Sequence, residues 1–197
     1  MKRARLTDWR GLVGSWRRLR GDARGVAAVE FALVVPIVIV IYAGGFEIAQ
    51  AATVYRKLTD TTVQLANVTS QYTNVAKVDI ISIMGASAQI MAPYSTAPLT
   101  SVLTEVQTNS AGVASVVWSE TYSQADPNLA PGLPCGTVAM PASFASPNSY
   151  YILVQTTYGY TPTIGAAFVS DIPMSNQIFM VPRESPSIPC TDCVVCP

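Results

Sequence analysis

Two groups of residues in this chain have types and spacings that could do chemistry. The first is the cysteines: Cys135 stands alone, and Cys190, Cys193 and Cys196 follow one another at two-residue intervals. That spacing suits a zinc site with Cys135 as a fourth ligand, a redox dithiol, or disulfide bonds. Outside the reducing cytoplasm disulfides persist, so two disulfides are the expectation here and no metal. Four cysteines allow three pairings, which stay open, but one bond should tie the loop around Cys135 to the tail. The second group centres on Glu30. It lies within Val26–Ala52, a run without Lys or Arg whose carboxylates are Glu30 and Glu47. A carboxylate held in hydrocarbon costs roughly 2.5–3.5 kcal/mol, so Glu30 needs an interface or a cation. A cut after Gly25 would supply the cation. Val26 would then carry a free ammonium one helical turn from Glu30, and in a stack of helices the Glu30 of one subunit would pair with the Val26 amine of the next.

Catalysis has little to work with. The chain contains no histidine, the commonest general base. It has no Gly-x-Ser-x-Gly elbow and no phosphate loop. The carboxylates that follow Glu47, Asp60, Asp79, Glu105, Glu120, Asp126, Asp171, Glu184 and Asp192, are scattered along the sequence and read as solvated surface groups. No catalytic residue, cofactor or small-molecule substrate is therefore expected. Glu47, near the outer end of the apolar run, reads as an interfacial charge reaching water, with an intersubunit contact as the alternative.

The elements that position these groups follow from periodicity. As a helix, Val26–Ala52 reaches about 40 Å at ~1.5 Å per residue, enough for the ~30 Å core of a bilayer. Pro36 and Gly44-Gly45 lie inside it and are tolerated in membranes. Ile48, Ala52, Tyr55, Leu58, Thr62, Leu65 and Val68 continue a 3–4 period, which carries the helix outward over about 46–72. A second helix is predicted over 75–91, capped by Asn74 and ended by Pro93. The period then changes to two. Val102–Thr108 and Val113–Ser119 alternate around an Asn109–Gly112 hairpin loop, with Val116 and Trp118 on the face opposite Val117. Residues 121–149, with five prolines, read as one long loop. Tyr150–Tyr160 and Gln177–Val181 read as strands. From Ser185 on, the tail is irregular.

Net charge is zero, but it is divided unequally. Residues 1–25 hold eight basic groups against Asp8 and Asp22, a net +6, and residues 26–197 hold four against ten carboxylates, a net −6. Basic flanks stay cytoplasmic, so the N-terminus faces in and the C-terminal domain faces out. An acidic outer domain also argues against nucleic acid as partner. Leu6, Trp9, Val13 and Trp16 recur at helical spacing among the leader's arginines, consistent with an amphipathic helix on an anionic inner leaflet or with a plain topology signal. The division expected is 1–25 basic cytoplasmic leader, 26–52 transmembrane helix, 53–184 outer α+β domain and 185–197 cysteine-rich tail. The fold class is α+β, a long N-terminal membrane-spanning helix continuing outward and packed on a small antiparallel sheet.

Gly25, four residues, Glu30 and Phe31 ahead of an apolar helix resembles the site that tight-adherence pilins present to their prepilin peptidase. The longer string Gly-Val-Ala-Ala-Val-Glu-Phe-Ala-Leu-Val-Val-Pro, then Gly45-Phe46-Glu47, resembles the head of the TadE/TadG-like pilus assembly family. Thr59–Leu65, Asp79–Ile81, Ile90–Tyr94, Ser115–Ser119, Tyr158–Pro162 and Pro182–Ser185 extend the resemblance over roughly residues 24–186. Larger TadG-type members carry a von Willebrand-type domain, which this chain has no room for, and the triple-cysteine tail is foreign to the family core. The resemblance implies a minor pilin or assembly component of a tight-adherence type IV pilus, processed at Gly25, Val26, Glu30 and Phe31 by a prepilin peptidase. Its partners would be other pilins or pilus-assembly subunits, the peptidase and the membrane. Its place would be the bacterial inner membrane, single-pass, with the domain periplasmic or carried outside in the pilus. It also implies a pilin-like build, by analogy of fold. The competing expectation is a binding protein unrelated to pili, anchored or released by signal peptidase at Ala49-Gln50-Ala51.

Overall fold

Residues 24–141, 144–164 and 170–197 are described by a computed structural model. The leader helix expected within residues 1–25 lies outside them, save for Arg24 and Gly25. Helix α1 runs Arg24–Thr69, 46 residues with Pro36 inside, and ends slightly short of the expected 72. The chain divides into two units, one ending at Phe46 and one running Glu47–Pro197. In the first, the apolar side chains of α1 face outward: Phe31 is 70% exposed and Val40 71%. Among the described residues α1 is the one helix long and apolar enough to cross a membrane.

In the second unit α1 has a buried face. Val54, Leu58, Leu65 and Ala66 are buried on it, and so are Thr61, Thr62 and Thr69. Threonine is awkward in a buried helix because its hydroxyl must be satisfied. Here Thr61, Thr62 and Thr69 each donate to the carbonyl four residues back, at 2.7–2.8 Å. Thr62 also meets the hydroxyl of Thr156 at 2.6 Å, which joins helix to sheet by a polar seam. Helix α2, Lys77–Ala88, is followed by a 3₁₀ turn Gln89–Met91. Its cap is not Asn74. Asp79 accepts the Ala76 N–H and Asp192, from the tail, accepts the Lys77 N–H, so two carboxylates satisfy the helix N-terminus and suit its dipole.

The sheet is antiparallel. Its strands are β1 (Leu99–Thr108), β2 (Ala114–Ser123), β3 (Leu129–Pro131), β4 (Thr137–Val138), β5 (Tyr150–Tyr160) and β6 (Ile172–Met180). Their order is β3-β2-β1-β5-β6, with β4 also on β2. The β1–β2 turn is built by Asn109, whose Oδ1 accepts the N–H groups of Ala111 and Val113, and by Gly112 at φ +76°. A bulge at Glu105/Val106 breaks the alternation expected in β2. Val117 and Trp118 consequently pack against the same core cluster rather than on opposite faces. The stretch 121–149 is not one loop. β2 extends into it, and β3 and β4 add two short pieces to the outer edge of β2. Between them Gly132 crosses so close that a Cβ would meet the Ser119 side chain and stand 2.9 Å from Glu120 N. The last strand starts at Ile172, five residues earlier than its alternation announced; Pro173 is accommodated because, among the described residues, β6 pairs with β5 alone.

Both faces of the sheet are covered in part. Leu65, Ile80, Met84, Leu103, Trp118, Ile152, Val154 and Ile188 form the largest cluster, between helices, sheet and tail. Each large apolar side chain buried there contributes ~1.5–3 kcal/mol. Val54, Leu58, Met91, Leu99, Tyr158 and Tyr160 form a second. On the opposite face Val106, Tyr151, Leu153 and Phe179 are covered by Leu133, Val138 and Met140. The tail is irregular as expected, yet held along its length. Arg183 N–H donates to Ser70 O, Val75 N–H to Pro189 O, Thr191 N–H to Val75 O and Cys196 N–H to Val117 O.

Candidate functional site

Three places carry the polar chemistry of the chain. The first is the head of α1. Gly25, Val26, Glu30 and Phe31 all lie in its opening turns and are exposed. Val26 and Glu30, four apart, share a face of the helix. Among the described residues of this unit no apolar side chain is buried, so the helix presents some twenty residues of hydrocarbon to whatever surrounds it. Surfaces of that extent are covered by lipid or by other proteins.

The second is the turn of α1 that enters the outer unit. Glu47 is half-buried rather than projecting into water. Its Oε2 accepts the Tyr160 hydroxyl at 3.0 Å and its Oε1 accepts the Ile164 N–H, so the expected free interfacial charge is a contact within the chain. Burial, with Glu47 alongside, pushes the Tyr160 phenol up to about 12. One turn on, Gln50 Oε1 accepts the Tyr94 hydroxyl at 2.8 Å, and Tyr158 donates to Ser95 O at 2.9 Å. Tyr94 thus ties the loop after the 3₁₀ turn, and Tyr160 the end of β5, to one turn of helix, while Tyr158 ties β5 to that same loop.

The third is Glu105, only 1% exposed and inside the largest cluster, with Glu120 3% exposed nearby on β2. Both were expected at the surface. Glu105 Oε2 accepts the Trp118 Nε1–H at 2.9 Å and Oε1 accepts the Ile188 N–H at 2.6 Å. Trp118 Nε1 also donates to Ile188 O at 2.9 Å. Burial pushes the Glu105 carboxyl above its ordinary range, against the opposing pull of those two donors. Glu120 is paired with Lys77, Nζ to Oε1 at 3.4 Å. These carboxylates fasten tail and helix to the sheet. No sequence signal marked them, since each partner lies far along the chain.

Cys135 is bonded to Cys196 and Cys190 to Cys193. Cys190, Asp192 and Cys193 lie close enough together to hold an ion, but two of the three donors are sulfurs already bonded to each other, and zinc needs thiolates. Asp192 is engaged as the cap of α2. A groove of about 480 Å³ on the sheet is lined by Thr100, Val102, Gln155, Thr157, Ser175 and Gln177. None of these side chains serves as a general acid or base near neutral pH.

What these features define is a protein with a long apolar N-terminal helix that fits a membrane anchor, followed by an α+β unit. Residues 25–67 match the family model described as TadE-like protein. No curated protein and no solved structure matches the chain. The match covers the head of α1 and nearly all of its outer half, ending short of the sheet. The chain is similar to that family over this helix alone.

Proposed function

We propose that this protein is a minor pilin or assembly component of a tight-adherence type IV pilus, held in the inner membrane with its outer unit on the periplasmic side and cut after Gly25 by a prepilin peptidase. The observation that carries the proposal is the coincidence of three things at one helix end: the Gly25–Glu30–Phe31 pattern, the family match beginning at the same glycine, and an apolar helix exposed on all sides. The cut frees the Val26 ammonium. Glu30 of a neighbouring subunit then pairs with it, neutralising two charges that hydrocarbon disfavours and setting the step between subunits. The protein is a substrate of the peptidase and a partner of other pilus subunits. Release by signal peptidase after Ala51 is a poorer reading, because it cuts α1 within its continuous run and removes Glu47 and Gln50 from Tyr160 and Tyr94.

Intact mass and terminal sequencing of the protein from its native host test the cut. A start at Val26 is expected; a start at Ala52 refutes the proposal, and an intact Met1 refutes the processing step. For the pairing, Glu30→Ala is expected to insert in the membrane and fail to enter pilus complexes. Normal assembly of that variant rules out the Glu30 contact.

A further inference from the structure

We infer that the outer edge of β6 is a docking site for an extended segment of a partner polypeptide, which adds to the sheet as a further strand. The inference goes beyond the pilus reading and does not depend on it, since every residue it uses lies in the second unit.

The hydrogen-bond phase of the sheet fixes which backbone groups that edge offers. Leu99 O accepts the Gln124 N–H from the β2 side, so Leu99 and every second residue after it turn their backbone groups toward β2. Thr100, Val102 and Thr104 turn theirs toward β5. Val102 stands opposite Gln155, and Gln155 opposite Gln177. Gln155 therefore points at β1, and its neighbours Val154 and Thr156 point at β6. On β6, Ile178 and Asn176 stand opposite those two and face inward, which leaves Pro173, Ser175, Gln177 and Phe179 facing outward. Two independent details agree. Pro173, with no N–H, belongs where the ladder does not use the donor. On the far side of the sheet, Ser119 O accepts the Gly132 N–H, as the same alternation requires. Among the described residues no strand or turn bonds the N–H groups of Ser175, Gln177 and Phe179.

Native sheets blunt an open edge with charge, proline, a bulge or short length, or cover it. Here the β2 edge is covered by β3 and β4. β6 runs nine residues, holds no Lys, Arg, Asp or Glu, keeps an unbroken register with β5, and carries its proline at the second position. From Met174 to Met180 it is undefended. An exposed apolar stripe runs beside it. Thr59 of α1 accepts the Asn176 Nδ2–H at 2.8 Å. Tyr55 and Val63, one turn before and after Thr59 on the same face, are 47% and 38% exposed. Open donors and acceptors at strand spacing are matched by another extended chain, whose side chains alternate between the two faces. On one face they continue the uncharged rows Thr157–Ser175 and Gln155–Gln177, which suits hydroxyls and amides. On the other they fall beside Tyr55, Val63 and Ile178, which suits apolar groups. The partner segment is therefore uncharged and alternates polar with apolar residues.

The test is residue-resolved amide hydrogen exchange of the full chain in detergent micelles. The probe is an alternating Thr–Val peptide about eight residues long, with a lysine at each end for solubility. Without peptide, the N–H groups of Ser175, Gln177 and Phe179 should exchange freely while those of Asn176 and Ile178 are protected. With millimolar peptide, exchange at Ser175, Gln177 and Phe179 should slow several-fold. Gln177→Pro should keep the fold, because it gives up no bond to β5, and should abolish the response to peptide. Ile178→Pro, which does give up such a bond, should unfold at lower urea. If the outward groups exchange freely and the peptide leaves them unchanged, the docking site is overturned. Protection without peptide at every dilution means the chain covers its own edge, and protection lost on dilution means a second copy covers it; either result overturns the partner segment. A Gln177→Pro variant that unfolds, or that responds to peptide like the wild type, overturns the assignment of the outward groups and the inference with it.

Discussion

Replacing Glu105 by alanine tests whether a buried carboxylate holds the tail to the sheet. The substitution leaves the Ile188 N–H, at a residue with no exposed surface, without a partner, which costs ~1–3 kcal/mol. Trp118 loses one acceptor but keeps Ile188 O. The missing side chain leaves a cavity in the main cluster, adding ~1–2 kcal/mol at the low end of the core-truncation range. Against this stands the relief of a buried charge. Each unit by which burial raises the carboxyl is worth ~1.4 kcal/mol. At pH 7 the variant should therefore lose about 1–3 kcal/mol net. The sign of the pH dependence follows from the raised carboxyl. The folded state binds this proton more tightly than the unfolded state, so the wild type gains stability from Glu105 as pH falls through the raised folded value toward the ordinary ~4.3. The alanine variant has no such gain, and the gap between the two should widen on acidification. Urea unfolding in detergent, followed by the fluorescence of buried Trp118, measures the gap at pH 7 and near pH 4.5. A loss below ~0.5 kcal/mol at pH 7, or a gap that narrows at the lower pH, would refute the reasoning.

Opening the Cys135–Cys196 bond by a double serine substitution, across a sequence separation of 61, should cost about 4 kcal/mol by loop entropy. Opening Cys190–Cys193, at a separation of 3, should cost about 1–2 kcal/mol; urea midpoints of the two variants check the difference, and equal costs would refute the loop argument. Lys77→Ala should destabilise by about 1–2 kcal/mol, less than the 3–5 expected for a fully buried pair because Lys77 is 39% exposed. Adding Glu120→Gln to it should recover part of that loss, and a double variant no better than the single one would count against a stranded charge.

The long helix was legible because its signal is local and repeated. An uncharged apolar run long enough for a bilayer, followed by a 3–4 period, needs no partner to declare itself. The β1–β2 hairpin and β5 were legible for the same reason, since alternation and turn chemistry are written in neighbouring residues. β6 was read short because Pro173, Ser175 and Asn176 blur the alternation of an edge strand, and Val117 was misplaced because a bulge depends on two strands and not on one.

The carboxylates show where local reading ends. Glu105 and Glu120 sit in strands beside ordinary polar residues, and base rates place such groups in water. Their burial depends on donors remote in sequence, Ile188 for one and Lys77 for the other, which only the closed sheet brings within reach. The same holds for Glu47 against Tyr160, for Asp192 at the start of α2, and for which cysteine meets which. Sequence by itself determined the long apolar helix, the charge asymmetry and the longer elements of the second unit, but not β3 or β4. The tertiary structure decided which polar groups are spent inside the chain, because hydrogen bonds and ion pairs are set by distance in space, on which a periodic pattern carries no information.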